Sequence, residues 1–185
     1  MPHVEASLCP SAPLPSCRAS ASQRSAVVLR NGGSDAKDLL KWKIARGGLA
    51  SLADLDDPAN GTVTLGVCLY DASAKTQPLL ASAVLGGGSC NGKPCWKSLA
   101  TGYRYKNKSA APDGLTDVKL RVSGAGELSL VVKGKGANLA LPSLDLTPPV
   151  RLQLVVSDSA GSSCWESHFP SAQKNDAGMF RASGG

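Results

Sequence analysis

Through much of residues 116–165 an apolar side chain recurs at every second position. Val118, Leu120 and Val122 alternate with Asp117, Lys119, Arg121 and Ser123, and after a Ser-Gly-Ala-Gly break the pattern resumes at Leu128, Leu130 and Val132. A period of two puts successive side chains on opposite faces of an extended strand, one dry and one wet. The two runs therefore predict a β-hairpin closed by a glycine-containing loop. Leu139 with Leu141, and then Val150, Leu152, Leu154 and Val156, predict two more strands between Gly and Pro punctuation.

The same reading extends upstream. Residues 26–30 and 38–45 predict a hairpin across Asn31-Gly-Gly-Ser-Asp35, and 49–61 a loop with one helical turn. Residues 62–71, 78–85, 97–106 and 161–169 supply further strands. In the first of these Val63, Leu65, Val67 and Leu69 share one face, which turns Cys68 and Tyr70 to the other. The fold class is all-β: an antiparallel β-sandwich, jelly-roll-like and disulfide-stapled, in one domain over residues 26–182. An irregular Cys-containing leader occupies 1–25. The stretch from Pro170 reads as weakly structured, and 183–185 as a disordered tail.

Cysteine usage changes the picture most. Six cysteines, no Cys-x-x-Cys pair and only two histidines, His3 and His168, argue for disulfides over a zinc site. Position along the chain favours local links Cys9–Cys17 and Cys90–Cys95, which leaves Cys68 with Cys164. Disulfides persist in oxidising compartments, so the protein is expected to be exported. No signal peptide is visible at the start and no apolar run approaches the ~20 residues that cross a bilayer. The expectation is a shifted start, or a piece of a longer exported protein.

Charge and chemistry narrow the function less. A net charge of +6 raises nucleic acid or an anionic surface as partner, but the Lys and Arg residues are scattered along the sequence and no run of them tracks a phosphate backbone. Asp54, Asp56 and Asp57 lie close together, yet Pro58 breaks the spacing of a calcium loop. The Gly-rich segment 86–96 lacks the Gly-Lys-Ser/Thr of a phosphate loop. Asn60-Gly-Thr62 and Asn107-Lys-Ser109 match the glycosylation sequon. Tyr103 and Tyr105, two residues apart on one strand, and the nearby Trp96 are the candidates for a sugar-stacking platform. No Gly-x-Ser-x-Gly elbow is present. Glu127, Asp145, Asp158 and Glu166 are the carboxylates available for glycoside hydrolysis, and His168 shares a strand face with Glu166.

Taken together, Leu40-Lys-Trp-Lys43, Val67-Cys-Leu-Tyr-Asp71, Cys95-Trp-Lys97, Gly102-Tyr-Arg-Tyr105, Gly134-Lys-Gly-Ala-Asn-Leu139, Leu152-Gln-Leu154 and Cys164-Trp-Glu166 resemble an uncharacterised domain. That domain recurs in predicted exported proteins of myxobacteria and related deltaproteobacteria. The resemblance covers residues 26–182 and implies export and a β-rich module, with no activity and no catalytic residues attached.

The function expected is a non-catalytic structural or ligand-binding module of an exported or cell-surface bacterial protein, monomeric and without cofactor or metal. Its partner would be an extracellular polysaccharide or a cell-surface component, bound through Trp96, Tyr103 and Tyr105. Two alternatives stand beside it: an extracellular hydrolase using His168 with Glu166, and a binder of anionic polymers. The last requires the cations to gather on one face of the folded chain.

Overall fold

The computed structural model describes residues 8–184; His3, the first seven residues of the leader and Gly185 lie outside it. Fifteen strands follow in order: β1 (Arg18–Ala19), β2 (Ser25–Arg30), β3 (Leu39–Ile44), β4 (Thr64–Tyr70), β5 (Leu80–Leu85), β6 (Ser89–Cys90), β7 (Lys93–Pro94), β8 (Trp96–Leu99), β9 (Gly102–Lys106), β10 (Leu115–Val122), β11 (Leu128–Lys135), β12 (Val150–Ser157), β13 (Ser162–Phe169), β14 (Lys174–Asp176) and β15 (Met179–Gly184). They make a five-stranded sheet, β1-β13-β12-β4-β5, an eight-stranded sheet, β14-β15-β2-β3-β11-β10-β9-β8, and the small β6-β7 ribbon. Only β1 runs parallel to its neighbour. The fold is all-β.

The two large sheets bury their facing sides against each other. Val27, Leu29, Trp42, Leu120 and Val132 come from the larger sheet, and Leu65, Val67, Leu152, Leu154 and Phe169 from the smaller. These are the positions that the period-two pattern turns inward, which is why the hairpins β2-β3 and β10-β11 form where the alternation is cleanest. Between β3 and β13, Trp42 Nε1 donates across this core to Ser167 Oγ at 2.9 Å. This bond satisfies an indole N–H that burial would otherwise leave without a partner.

The smaller sheet is covered on its far side as well. Leu8 and Cys9 of the N-terminal segment pack with Cys68, Tyr70 and Val155, and Leu14 joins them. The Gln153 side chain, fully buried, clamps the segment: Leu14 N donates to Gln153 Oε1, and Gln153 Nε2 donates to Leu14 O, both at 2.9 Å. Tyr70 donates its hydroxyl to Pro10 O at 2.9 Å. Disulfides Cys9–Cys68 and Cys17–Cys164 fasten the segment at two points.

This pairing corrects the one expected from sequence position. The local Cys90–Cys95 link is present, but Cys9–Cys17 and Cys68–Cys164 are not. Cys68 lies on β4 and Cys164 on β13, with β12 between them. Two strand spacings are ~9.6 Å at ~4.8 Å each, beyond the 4.4–6.8 Å that a disulfide spans between Cα atoms. Each cysteine therefore needs a partner arriving from above the sheet.

Two further segments differ from expectation. The run at Leu139 and Leu141 forms a 3₁₀ turn over Ala137–Leu139 in place of a strand. Leu139 fills a slot that only glycine leaves open: a Cβ on Gly114, whose φ is +80°, would sit 2.3 Å from Leu139 Cα. The C-terminal stretch, expected to be weakly structured, is the hairpin β14-β15, and β15 pairs with β2 along its length through Ser183 and Gly184. Phe180 and Ala182 supply its buried face.

The open edge of β5 is partly occupied. Asp113, in the loop before β10, accepts the Ala83 amide through Oδ2 at 2.9 Å, and its carbonyl accepts from Ser82 Oγ at 3.0 Å.

Candidate cationic face

The outward side of the eight-stranded sheet collects the polar half of every alternating strand. Pairing across the sheet puts Lys97, Arg104, Lys119, Val131 and Lys43 in one row. The next row holds Lys106, Asp117, Lys133, Lys41, Val28, Arg181 and Lys174. Arg121 flanks these rows on one side, and Lys135 with Arg30 on the other. At ~4.8 Å per strand, the seven-strand row is ~29 Å long.

Twelve of the chain's 20 Lys and Arg residues thus share one face with two acidic residues, Asp117 and Asp176. The face carries a net ten positive charges against +6 for the whole chain, so the remainder of the molecule is net acidic. Both acids are already engaged. Arg104 Nε and Nη2 donate to the two oxygens of Asp117 at 3.1 and 2.7 Å, and Lys174 lies 3.4 Å from Asp176. The hydrogen bond to Asp117 raises the Arg104 pKa further. The other cations have no carboxylate within salt-bridge range among the described residues.

At the β8-β9 end the face folds into a groove of about 540 Å³. Its wall is the β6-β7 hairpin, closed by Cys90–Cys95 and turned at Asn91 and Gly92, whose φ values are +53° and +77°. Two consecutive left-handed residues suit a tight two-residue hairpin turn. Lys93, Lys97, Arg104, Lys106 and Lys108 line the groove together with the apolar Pro94, Leu99 and the disulfide, and no carboxylate is among its lining residues.

The expected sugar platform is not assembled. Trp96 and Tyr105 are buried, with ring centroids 5.3 Å apart, and Trp96 Nε1 donates to Leu85 O at 2.8 Å. They close the sandwich between β8 and β5 and offer no face to a ligand. Tyr103 keeps a half-buried ring beside Asp56, Asp57 and Asp158 in a shallow acidic depression. Burial, and then the charges of Asp158 and Asp54, raise the Asp56 pKa, while burial and Asp57 raise that of Tyr103.

The candidate catalytic carboxylates are dispersed. Glu166 is held by Arg151 Nη1 at 3.1 Å and Gln153 Nε2 at 2.9 Å, and Glu127 by Arg46 Nε at 2.9 Å. Asp158 Oδ1 accepts the amides of Ala160 and Gly161 in a turn, and Asp145 is exposed. His168 stands opposite Arg151 on the neighbouring strand, and no hydrogen bond joins it to Glu166. No group of three His, Cys, Asp or Glu residues suited to a metal occurs among the described residues. Asn107, in the second sequon, is buried and bonded through its side chain to Tyr105, Ser109 and Ala111. Among the described residues no helix is long and apolar enough to cross a membrane.

Along the sequence the lysines and arginines of this face, Lys119, Arg121, Lys133 and Lys135 among them, are scattered. The signal that unites them is register, which brings residues from seven strands into adjacent rows. No protein-family model, no curated protein and no solved structure matches this chain.

Proposed function

We propose that this chain is a binding module for anionic polymers, working in an oxidising, extracytoplasmic setting through the outward face of its eight-stranded sheet. The observation that carries the reading is the concentration of twelve cations, most of them unpaired, on one uncovered face. Such a face focuses positive potential, speeds encounter with polyanions and releases counterions when they dock. Three disulfides fit the compartment. The non-catalytic character expected from the sequence is kept. Hydrolysis by His168 and Glu166 is disfavoured because Glu166 is committed to Arg151 and Gln153.

The test is binding of the oxidised chain to dextran sulfate, polygalacturonate and neutral dextran between low and moderate salt. Affinity for the two charged polymers should fall linearly on a log–log plot against salt, and neutral dextran should not bind. Salt-independent binding to neutral dextran, or no binding to either polyanion, rejects the proposal.

A further inference from the structure

Resting on the polyanion reading of the face, we propose that the groove beside the Cys90–Cys95 hairpin is the selecting site. It seats a short stretch of a single anionic polysaccharide chain, bearing carboxylate or sulfate groups, and the flat rows of the sheet hold the rest of the polymer without selection. Four features of the groove lead there.

Its size comes first. A pocket of about 540 Å³ accepts a drug-sized fragment. That is a few units of a single chain, and a nucleic-acid duplex cannot enter it. Its chemistry is the second feature. Pro94, Leu99 and the disulfide supply apolar lining for the C–H face of a pyranose, and the four lysines Lys93, Lys97, Lys106 and Lys108 supply cations for its anionic substituents. Arg104 is withdrawn from that set by its paired bonds to Asp117.

The third feature is the absence of stacking surfaces. Of the eight aromatic residues, seven are buried and Tyr103 points to the opposite side of β9 from Arg104. Proteins that hold single-stranded nucleic acid stack its bases on aromatic rings, and neither this groove nor the sheet face has one to offer. The fourth is preorganisation. The five-residue separation of Cys90 and Cys95 closes the smallest of the three disulfide loops, and Lys93, inside that loop, lines the groove together with Lys97 and Lys106. A cation that is already in place binds without the ordering cost of a free loop.

Two charge-matched double variants separate a selecting groove from a uniform face. Lys93→Ala with Lys108→Ala removes two exposed groove cations; Lys41→Ala with Lys133→Ala removes two from the centre of the sheet. All four side chains are exposed, so both variants should fold as the parent does. The probes are size-fractionated galacturonate and sulfated dextran oligomers of four to six units, long dextran sulfate, and a 20-base-pair DNA duplex, at one fixed salt concentration. The groove pair should weaken oligomer binding by roughly tenfold or more and the sheet pair by roughly twofold, while duplex binding, excluded from the groove, should fall more with the sheet pair than with the groove pair. Lys93→Arg with Lys108→Arg should restore the oligomers. Equal losses for both pairs on the oligomers, or oligomers that fail to bind the parent chain while long dextran sulfate does, would overturn the groove and leave the polyanion face standing. Failure of every polyanion to bind the parent chain would overturn the face itself.

Discussion

The outer sides of the two sheets are built from the same alternating grammar and end in opposite conditions. On the five-stranded sheet the outward positions of β4 are Gly66, Cys68 and Tyr70, and those of β12 include Gln153 and Val155. The N-terminal segment covers them and two disulfides fasten it there. On the eight-stranded sheet the corresponding positions are mostly lysine and arginine, and most of these side chains are exposed among the described residues. Covering a face commits its residues to stability. Leaving ten net positive charges exposed gives the other a strong positive potential, the feature on which the proposed polyanion binding rests.

If that division of labour is right, stability should respond to the covered side and binding to the bare one. The largest effect is expected from the strap. On the chain-entropy model, the 147-residue separation of Cys17–Cys164 corresponds to about 5 kcal/mol and the 5-residue link Cys90–Cys95 to about 2 kcal/mol. Cys17→Ser with Cys164→Ser should therefore lower the melting temperature by roughly 10 °C more than Cys90→Ser with Cys95→Ser. The reverse order, read by calorimetry, would detach stability from the covered face.

The middle effect belongs to Gln153. Replacing it with leucine keeps the volume but leaves Leu14 N–H and C=O without their partners, at a cost of about 2 kcal/mol. Hydrogen exchange at the Leu14 amide should quicken while amides of β10 and β11 stay protected. Uniform loss of protection would mean that the strap and the core unfold as one.

The smallest effect sharpens the contrast from the other side. Lys41 and Lys133 stand directly opposite each other across β3 and β11, and like charges so placed repel. Lys41→Glu should raise stability by up to about 0.5 kcal/mol while reducing affinity for long dextran sulfate. A fall in both would show that the bare face contributes to folding after all.

Much of this architecture was legible in the sequence. The strong alternation of β3, β10 and β11 located their strands and their inward faces, and Val63 through Leu69 gave the buried side of β4 correctly. The alternation turns Cys68 and Tyr70 to the outward side of β4, but nothing local in the sequence says what covers them, so the pairing of Cys68 with Cys9 is not legible there. The β14-β15 hairpin was hidden because only Phe180 and Ala182 mark its buried face, too few positions to establish a period. The cationic face was invisible for a different reason. Its rows join residues as distant as Lys41, Lys106, Lys133 and Lys174, which only strand register makes neighbours. In the opposite direction, Tyr103 and Tyr105 at i and i+2 suggested a platform because exposure cannot be read from spacing. They lie on the core side of β9, across from Leu120 and Val118.

The guarded margin of the smaller sheet has a consequence for proteins crowded along one polymer. A polyanion gathers many copies into a small volume, where bare sheet margins would invite strand addition and insoluble aggregates. Here Asp113 holds the Ala83 amide that an incoming strand would need, β14 is three residues long, and the four-residue β8 carries Lys97. Copies packed side by side along a chain, as the proposed binding would bring them, can therefore remain separate folded units with no strand addition between their margins.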